Sequence, residues 1–117
     1  MIIGIGARRG VTADETIMAI EAALEEIGAS RDNVDILASA KMKENETGLI
    51  EAAKRLDLDI QFIPHEVLNR FNGPSESQAR RFGLNGVAEP SALALSDNNL
   101  LIMKKKAYGR ITIAIAE

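Results

Sequence analysis

The sequence predicts a three-layer α/β/α fold, with a mixed sheet of about five strands and helices on both faces. Strand-like and helix-like segments alternate in the first half of the chain, the order of a parallel βαβαβ core. Apolar runs at 100–103 and 111–116 are too close for a crossover helix, so they must pair as an antiparallel hairpin. A length of 117 residues fits one domain, and we expect residues 1–117 to form it.

The first unit is a strand, a loop and a helix. Residues 2–6 form a short β-type run, and Thr12 and Glu15 have the spacing of a capping box, which begins a helix. Gly28 ends that helix. Its apolar residues recur at intervals of three and four and define one buried stripe: Ile17, Ile20, Leu24 and Ile27.

The second and third strands are predicted at 34–40 and 59–63, with a helix over 46–56 between them. The run 34–40 is apolar almost throughout after its start, as in a central strand covered on both faces. Pro64 closes the third strand. In such sheets ligands bind beyond the carboxyl ends of the strands.

The remaining segments are shorter. We expect a helix at 66–71, a turn at 72–74, a helix from a capping box at 75–78 to about Phe82, and a helix at 89–95. Residues 104–110, rich in lysine, form the hairpin loop, either solvated or acting as a lid on an anionic ligand's site.

Composition excludes several classes of function. The chain has no cysteine, so it holds no disulfide framework, thiolate metal site or cysteine nucleophile, and a reducing, cytoplasmic location is expected. No apolar run reaches the roughly 20 residues that span a bilayer. A net charge of -3 does not favour nucleic acid. We expect no bound metal and no cofactor.

The loop after the first strand is the leading candidate site, because it carries Gly6, Arg8, Arg9 and Gly10 between a strand and a helix start. Backbone amides and the helix dipole favour an anion there, and arginine forks suit carboxylates and phosphates. Its glycine spacing differs from the dinucleotide fingerprint. The alternative is a tight turn with two solvated arginines.

The next two strand ends also carry polar residues. Ser39 and Lys41, with Glu44 nearby, would form a second rim on the same edge, or a plain polar loop. His65 and Glu66 follow the third strand and could act as an acid/base pair, although a lone histidine is more often structural.

Two helix starts combine small residues with a carboxylate, a pattern that serves either for capping or for holding a polar ligand. Their candidate residues are Ser75, Glu76 and Ser77 in the first, and Gly86 and Glu89 in the second.

These segments, in this order and spacing, resemble the C-terminal domain of the cobalamin-biosynthesis protein CbiG and its stand-alone relative CobE. The resemblance runs nearly end to end. The matching segments are 4–10, 37–41 with Glu44 and 48–49, 74–77, 86–93, and the closing lysines with 111–116. Position 7 is Ala7, where many relatives have cysteine, so any role of that thiol is absent here.

The resemblance implies a protein that binds or acts on a corrinoid or precorrin intermediate. CbiG is assigned the opening of the lactone ring of cobalt-precorrin 5A with loss of acetaldehyde. A role in that hydrolysis would make Glu89, Glu44 or Glu66 the base that activates water. The N-terminal portion of CbiG, or another enzyme of the pathway, is an expected partner. The alternatives are a non-catalytic tetrapyrrole carrier and a phosphate- or nucleotide-binding regulatory module.

Overall fold

The computed structural model describes residues 1–71 and 87–117. The predicted turn at 72–74 and the helix predicted to follow it lie outside the described residues. The elements in chain order are β1 (Ile2–Ala7), α1 (Ala13–Glu26), a 3₁₀ turn (Arg31–Asn33), β2 (Ile36–Ala40), a second 3₁₀ turn (Lys41–Lys43), α2 (Thr47–Arg55), β3 (Ile60–Ile63), α3 (His65–Leu68), α4 (Ala88–Leu95), β4 (Leu101–Tyr108) and β5 (Ile111–Ala116).

The five strands form one mixed sheet in the order β3-β2-β1-β5-β4. β1, β2 and β3 are parallel, while β5 runs antiparallel to both β1 and β4. The predicted fold class is therefore confirmed. The carboxyl ends of β1, β2 and β3 lie at the same end of the sheet, because these strands are parallel. The β4–β5 turn lies at that end too, because Ala7 and Tyr108 both pair with Ile111.

Helices cover both faces of the sheet, since alternate residues of a strand point to opposite sides. α1 and α2 pack on one face, whose buried residues include Ile3, Ile5, Ile20, Leu24, Leu37, Leu49, Ile113 and Ile115. α3 and α4 pack on the other, around Ile2, Ala38, Ala40, Leu68, Ala92, Leu93 and Ala116. No helix within residues 1–71 and 87–117 is long and apolar enough to cross a membrane.

α1 begins where the sequence predicts. The hydroxyl of Thr12 accepts a hydrogen bond from the N–H of Glu15 at 3.1 Å, and the Glu15 carboxylate accepts one from the N–H of Thr12 at 3.1 Å. The predicted capping box is confirmed. After α1, Gly28 adopts a φ of +71°, which lets the chain leave the helix without steric strain.

α4 lies unusually close to β1. A Cβ placed on Gly4 would lie 1.9 Å from the carbonyl oxygen of Ala88, which is a severe overlap with backbone. Glycine at this position therefore lets the first turn of α4 rest directly on the middle of β1. This contact sets the position of α4 beside the end of the sheet.

The hairpin differs from the prediction. Residues 104–108 belong to β4, and only Gly109 and Arg110 connect it to β5, so the loop predicted at 104–110 is wrong. Gly109 has a φ of +65° at the first position of a two-residue turn, where this kind of hairpin favours glycine. The lysines lie in an edge strand instead, and charges there discourage pairing with other chains.

Candidate functional site

A cleft of about 830 Å³ opens where β1 ends. Four segments surround it: the β1–α1 loop, the 3₁₀ turn that follows β2, the start of α4, and the β4–β5 hairpin. The lining residues are Gly6, Ala7, Arg8, Arg9, Met42, Lys43, Val87, Ala88, Lys105, Lys106, Ala107, Gly109, Arg110 and Thr112.

The lining is strongly cationic. Six of the lining residues in the described part of the chain carry a positive charge, and none is an aspartate or a glutamate: Arg8, Arg9, Lys43, Lys105, Lys106 and Arg110. The chain as a whole has a net charge of -3, so this concentration is local. Arg110 and Lys106 are paired with Glu15 and Glu26 of α1, outside the lining. The excess of like charge that still faces the cleft favours an anionic ligand.

The same cleft also has apolar lining. Ala7, Met42, Val87, Ala88 and Ala107 contribute to it, and the Met42 side chain is 63% exposed. A large exposed methionine is typical of surfaces that contact apolar ligands of variable shape. The arrangement therefore suits a ligand that has an apolar body and an anionic periphery.

The arginine loop is held by the protein's own groups. The N–H of Gly10 donates to the Glu46 carboxylate at 3.0 Å, and the N–H of Arg8 donates to the carbonyl of Arg110 at 3.1 Å. Gly10 has a φ of +82°, which favours glycine. Since Glu15 already caps α1, the amides of residues 8, 10 and 12 have protein partners, and Arg8 and Arg9 line the cleft.

An ion pair joins the hairpin turn to α1. Nε of Arg110 donates to Glu15 at 2.9 Å, its Nη2 contacts the other carboxylate oxygen, and Nη2 also donates to the carbonyl of Gly10 at 3.4 Å. The hydrogen bond from Arg110 lowers the pKa of Glu15 to about 2, and the same contact raises the pKa of Arg110. Arg110 therefore ties the hairpin to the arginine loop.

A second contact joins β4 to the end of α1. Lys106 and the hydroxyl of Tyr108 both donate to the carboxylate of Glu26. Hydrogen bonds from Lys106 and then Tyr108 lower the pKa of Glu26, whereas burial, followed by the bond to Glu26, raises the pKa of Tyr108 to about 12. These contacts fix the wall of the cleft that β4 forms.

Glu89 lies behind the cleft, in the first turn of α4. It is 1% exposed, and its Oε2 accepts a hydrogen bond from the backbone N–H of Lys105 at 3.0 Å. It does not line the cleft, although Ala88 and Lys105 on either side of this contact do.

The structure places the other predicted residues as follows. Gly6, Arg8 and Arg9 line the cleft. Ser39 is fully buried, and its hydroxyl donates to the carbonyl of Ile5 at 2.7 Å, so it joins β2 to β1 and is absent from the cleft. Lys41, Glu44 and Glu66 are exposed and do not line it. Ser75, Glu76, Ser77 and Gly86 lie outside the described residues.

Four of the cations in the lining are not among the predicted ligand-binding residues. These are Lys43, Lys105, Lys106 and Arg110. Three of them, Lys105, Lys106 and Arg110, belong to the basic segment 104–110, which the sequence offers as a lid. Lys43 follows Lys41 by two positions in the 3₁₀ turn, and the turn brings Lys43 rather than Lys41 to the cleft.

Within residues 1–71 and 87–117, no group of three or more histidine, cysteine, aspartate or glutamate side chains could hold a metal ion. His65 is exposed in α3, away from the cleft lining.

Comparison with protein families gives one clear match. The sequence profile of the family described as Cobalamin synthesis G C-terminus matches residues 1–116. The cobalt-precorrin-5A hydrolase of Priestia megaterium is 32% identical over 118 residues, which cover 99% of this chain and 32% of the hydrolase. The chain thus spans about a third of that relative.

Two solved structures share the fold. The crystal structure of CobE, a protein from the cobalamin biosynthetic pathway, superimposes with a TM-score of 0.83 at 34% identity, covering 97% of this chain and 86% of CobE. Cobalamin biosynthesis protein chiG from Agrobacterium tumefaciens gives a TM-score of 0.77 at 31% identity, covering 97% of this chain and 94% of chiG.

Proposed function

Because the chain belongs to the cobalamin synthesis G C-terminal family, we propose that it binds a carboxylate-rich corrinoid or precorrin in the cationic cleft. It is a cobalamin-biosynthesis protein related to cobalt-precorrin-5A hydrolase. The observation that carries the proposal is the composition of the cleft: six cations, of which Arg110 and Lys106 are paired with carboxylates of α1, no carboxylate among the described lining residues, and an apolar portion.

The chemistry of the ligand matches this composition. A precorrin is a large apolar macrocycle whose periphery carries acetate and propionate side chains. Arg8 and Arg9 present planar forks that bind a carboxylate through two parallel hydrogen bonds, and Lys43 and Lys105 add point charges around the same cleft. The macrocycle would contact Met42 and Val87, so both parts of the ligand find a complement.

Binding is better supported than hydrolysis by this segment alone. Of the three carboxylates predicted as bases, Glu44 and Glu66 are exposed outside the cleft and Glu89 is buried behind it. A general base must reach the water that it activates. We therefore propose that lactone opening draws on further groups, from a region like the remainder of the longer hydrolases or from another pathway enzyme.

Titration with a matched pair of corrins tests the binding proposal. Cobyrinic acid carries free carboxylates, and its fully methylated ester has the same macrocycle without their charge. We expect the acid to bind with a change in its absorbance spectrum, weakening as salt screens the charges, and the ester to bind far more weakly. Equal binding of acid and ester, or no binding of either, contradicts the proposal.

The same assay separates the alternatives. Orthophosphate or ATP that binds while cobyrinic acid does not would favour a phosphate-binding regulatory module. Release of acetaldehyde from cobalt-precorrin 5A by this chain alone would show that it is catalytic, whereas binding without acetaldehyde fits a carrier or a component that needs a partner.

A further inference from the structure

We propose that Glu89 is a positioning residue: it anchors an irregular turn of β4 so that Lys105 faces the ligand. This inference rests on the proposed function, because it assigns a role to one cation of that cleft. It replaces the role of general base with one that the contacts of Glu89 support directly.

The first observation is an irregularity in β4. Met103 pairs with Ile115 and Lys106 pairs with Ile113, so the β4 side holds one residue more than the β5 side over this stretch. Such an extra residue makes a β-bulge, which bends a strand and redirects side chains, often beside a functional site. The bulge falls at Lys104 and Lys105.

The second observation is the set of β4 residues that reach the cleft. In a regular strand neighbouring side chains point to opposite faces. Here Lys105, Lys106 and Ala107 are consecutive and all line the cleft. Lys106 and Ala107 pair in regular register with Ile113 and Thr112, and Lys106 reaches Glu26 of α1. Of these three residues Lys105 alone lies in the bulge, so the bulge acts on the direction of Lys105.

The third observation is the partner of the bulged backbone. A residue in a bulge loses its regular strand partner, and a buried N–H without a partner is costly. The carboxylate of Glu89 accepts from the N–H of Lys105 at 3.0 Å. Because Gly4 lets α4 rest on β1, the carboxylate is held at a fixed distance from the sheet. Glu89 thus stabilises the bulge from the helix side.

Four variants test the proposal in the full chain, with cobyrinic acid as the probe. Glu89→Ala removes the acceptor, and we expect about tenfold weaker binding. Glu89→Gln keeps an amide oxygen that can accept from Lys105, so binding should be largely restored. Lys105→Ala should weaken binding to a similar extent, and adding Glu89→Ala to it should cause little further loss. Lys54→Ala, at an exposed lysine of α2 outside the cleft lining, is the matched control.

Hydrogen exchange of the Lys105 amide gives a readout that needs no ligand. It should be slow in the unsubstituted protein and in Glu89→Gln, and fast in Glu89→Ala. If Glu89→Ala does not fold, Glu89→Asp replaces it, since the shorter side chain keeps the charge but draws back from the amide.

Three results would overturn the proposal. The first is an exchange rate of the Lys105 amide that is the same in Glu89→Ala as in the unsubstituted protein. The others are a loss of affinity from Glu89→Ala that is as large in the Lys105→Ala background as without it, and a loss from Glu89→Gln as large as that from Glu89→Ala. If the unsubstituted protein fails to bind cobyrinic acid, the proposed function fails instead. The exchange rates then still decide whether Glu89 anchors the bulge.

Discussion

At the end of the sheet where β1 stops, the region on the β5 side of β1 is built differently from the region on the β3 side. On the β5 side, the arginine loop and the hairpin meet through Arg110 and Glu15, and most of the cleft's cations lie there. On the β3 side, Ser39 is buried against β1 and Glu66 is exposed. A polar residue at the carboxyl end of a parallel strand is therefore not sufficient to form part of the cleft. Here the site forms where contacts between distant segments hold charged residues together.

Gly4→Ala should have the largest effect, because it removes the close approach that places α4 behind the cleft. The new Cβ would overlap the carbonyl of Ala88, and we expect the free energy of unfolding to fall by about 3 kcal/mol or more. Chemical denaturation monitored by circular dichroism measures this. Gly6→Ala is the control, since its Cβ would lie 3.6 Å from that of Thr112 and should change stability by about 1 kcal/mol or less.

Glu15→Gln should make the free energy of unfolding less sensitive to acid. The pKa of Glu15 is lowered from 4.5 to about 2 in the folded protein, so its ion pair stabilises the fold above about pH 4.5, and this contribution is lost as the pH falls toward 2. Glutamine still completes the capping box, so the variant isolates the contact with Arg110. The slope of unfolding free energy against pH should decrease in that range. Glu21→Gln, an exposed position on the same helix, should retain the slope of the unsubstituted protein.

The phenolate absorbance of Tyr108 reports on the contact between β4 and α1 without overlap from other residues, because the chain has one tyrosine and no tryptophan. Its pKa is raised to about 12, so the neutral phenol stabilises the fold below its ordinary pKa of 10.0, and this contribution is lost as the pH rises toward 12. A rapid-mixing titration of phenolate absorbance should give a midpoint near 12. Glu26→Gln should lower it but leave it above 10.0, because burial is the larger cause.

A midpoint near 10.0 in the unsubstituted protein would show that β4 does not hold Tyr108 against Glu26, and the wall of the cleft would then lack this support.

Local patterns in the sequence predicted local structure well. The Thr12 and Glu15 capping box joins residues three positions apart, and the apolar periodicity of α1 reflects burial against one sheet face. The mixed sheet followed from the short connection before β5. These features depend on neighbours in the chain, which a single sequence displays.

The site depends on pairs that are far apart in sequence. Arg110 and Glu15 are separated by 95 positions, and Ser39 meets the carbonyl of Ile5 from 34 positions away. An alternating strand pattern cannot tell which face of β2 turns to the ligand, so Ser39 was expected at the rim. The bulge in β4 is likewise invisible in a run of three lysines.

Binding of cobyrinic acid in the cationic cleft is tested by comparing the affinity of Arg8→Ala/Arg9→Ala with that of Arg70→Ala. Arg8 and Arg9 line the cleft, while Arg70 is an exposed arginine after α3, outside the lining. We expect the double variant to bind at least about 30-fold more weakly and Arg70→Ala to bind as the unsubstituted protein does. Equal affinities in the two variants would contradict binding in the cleft.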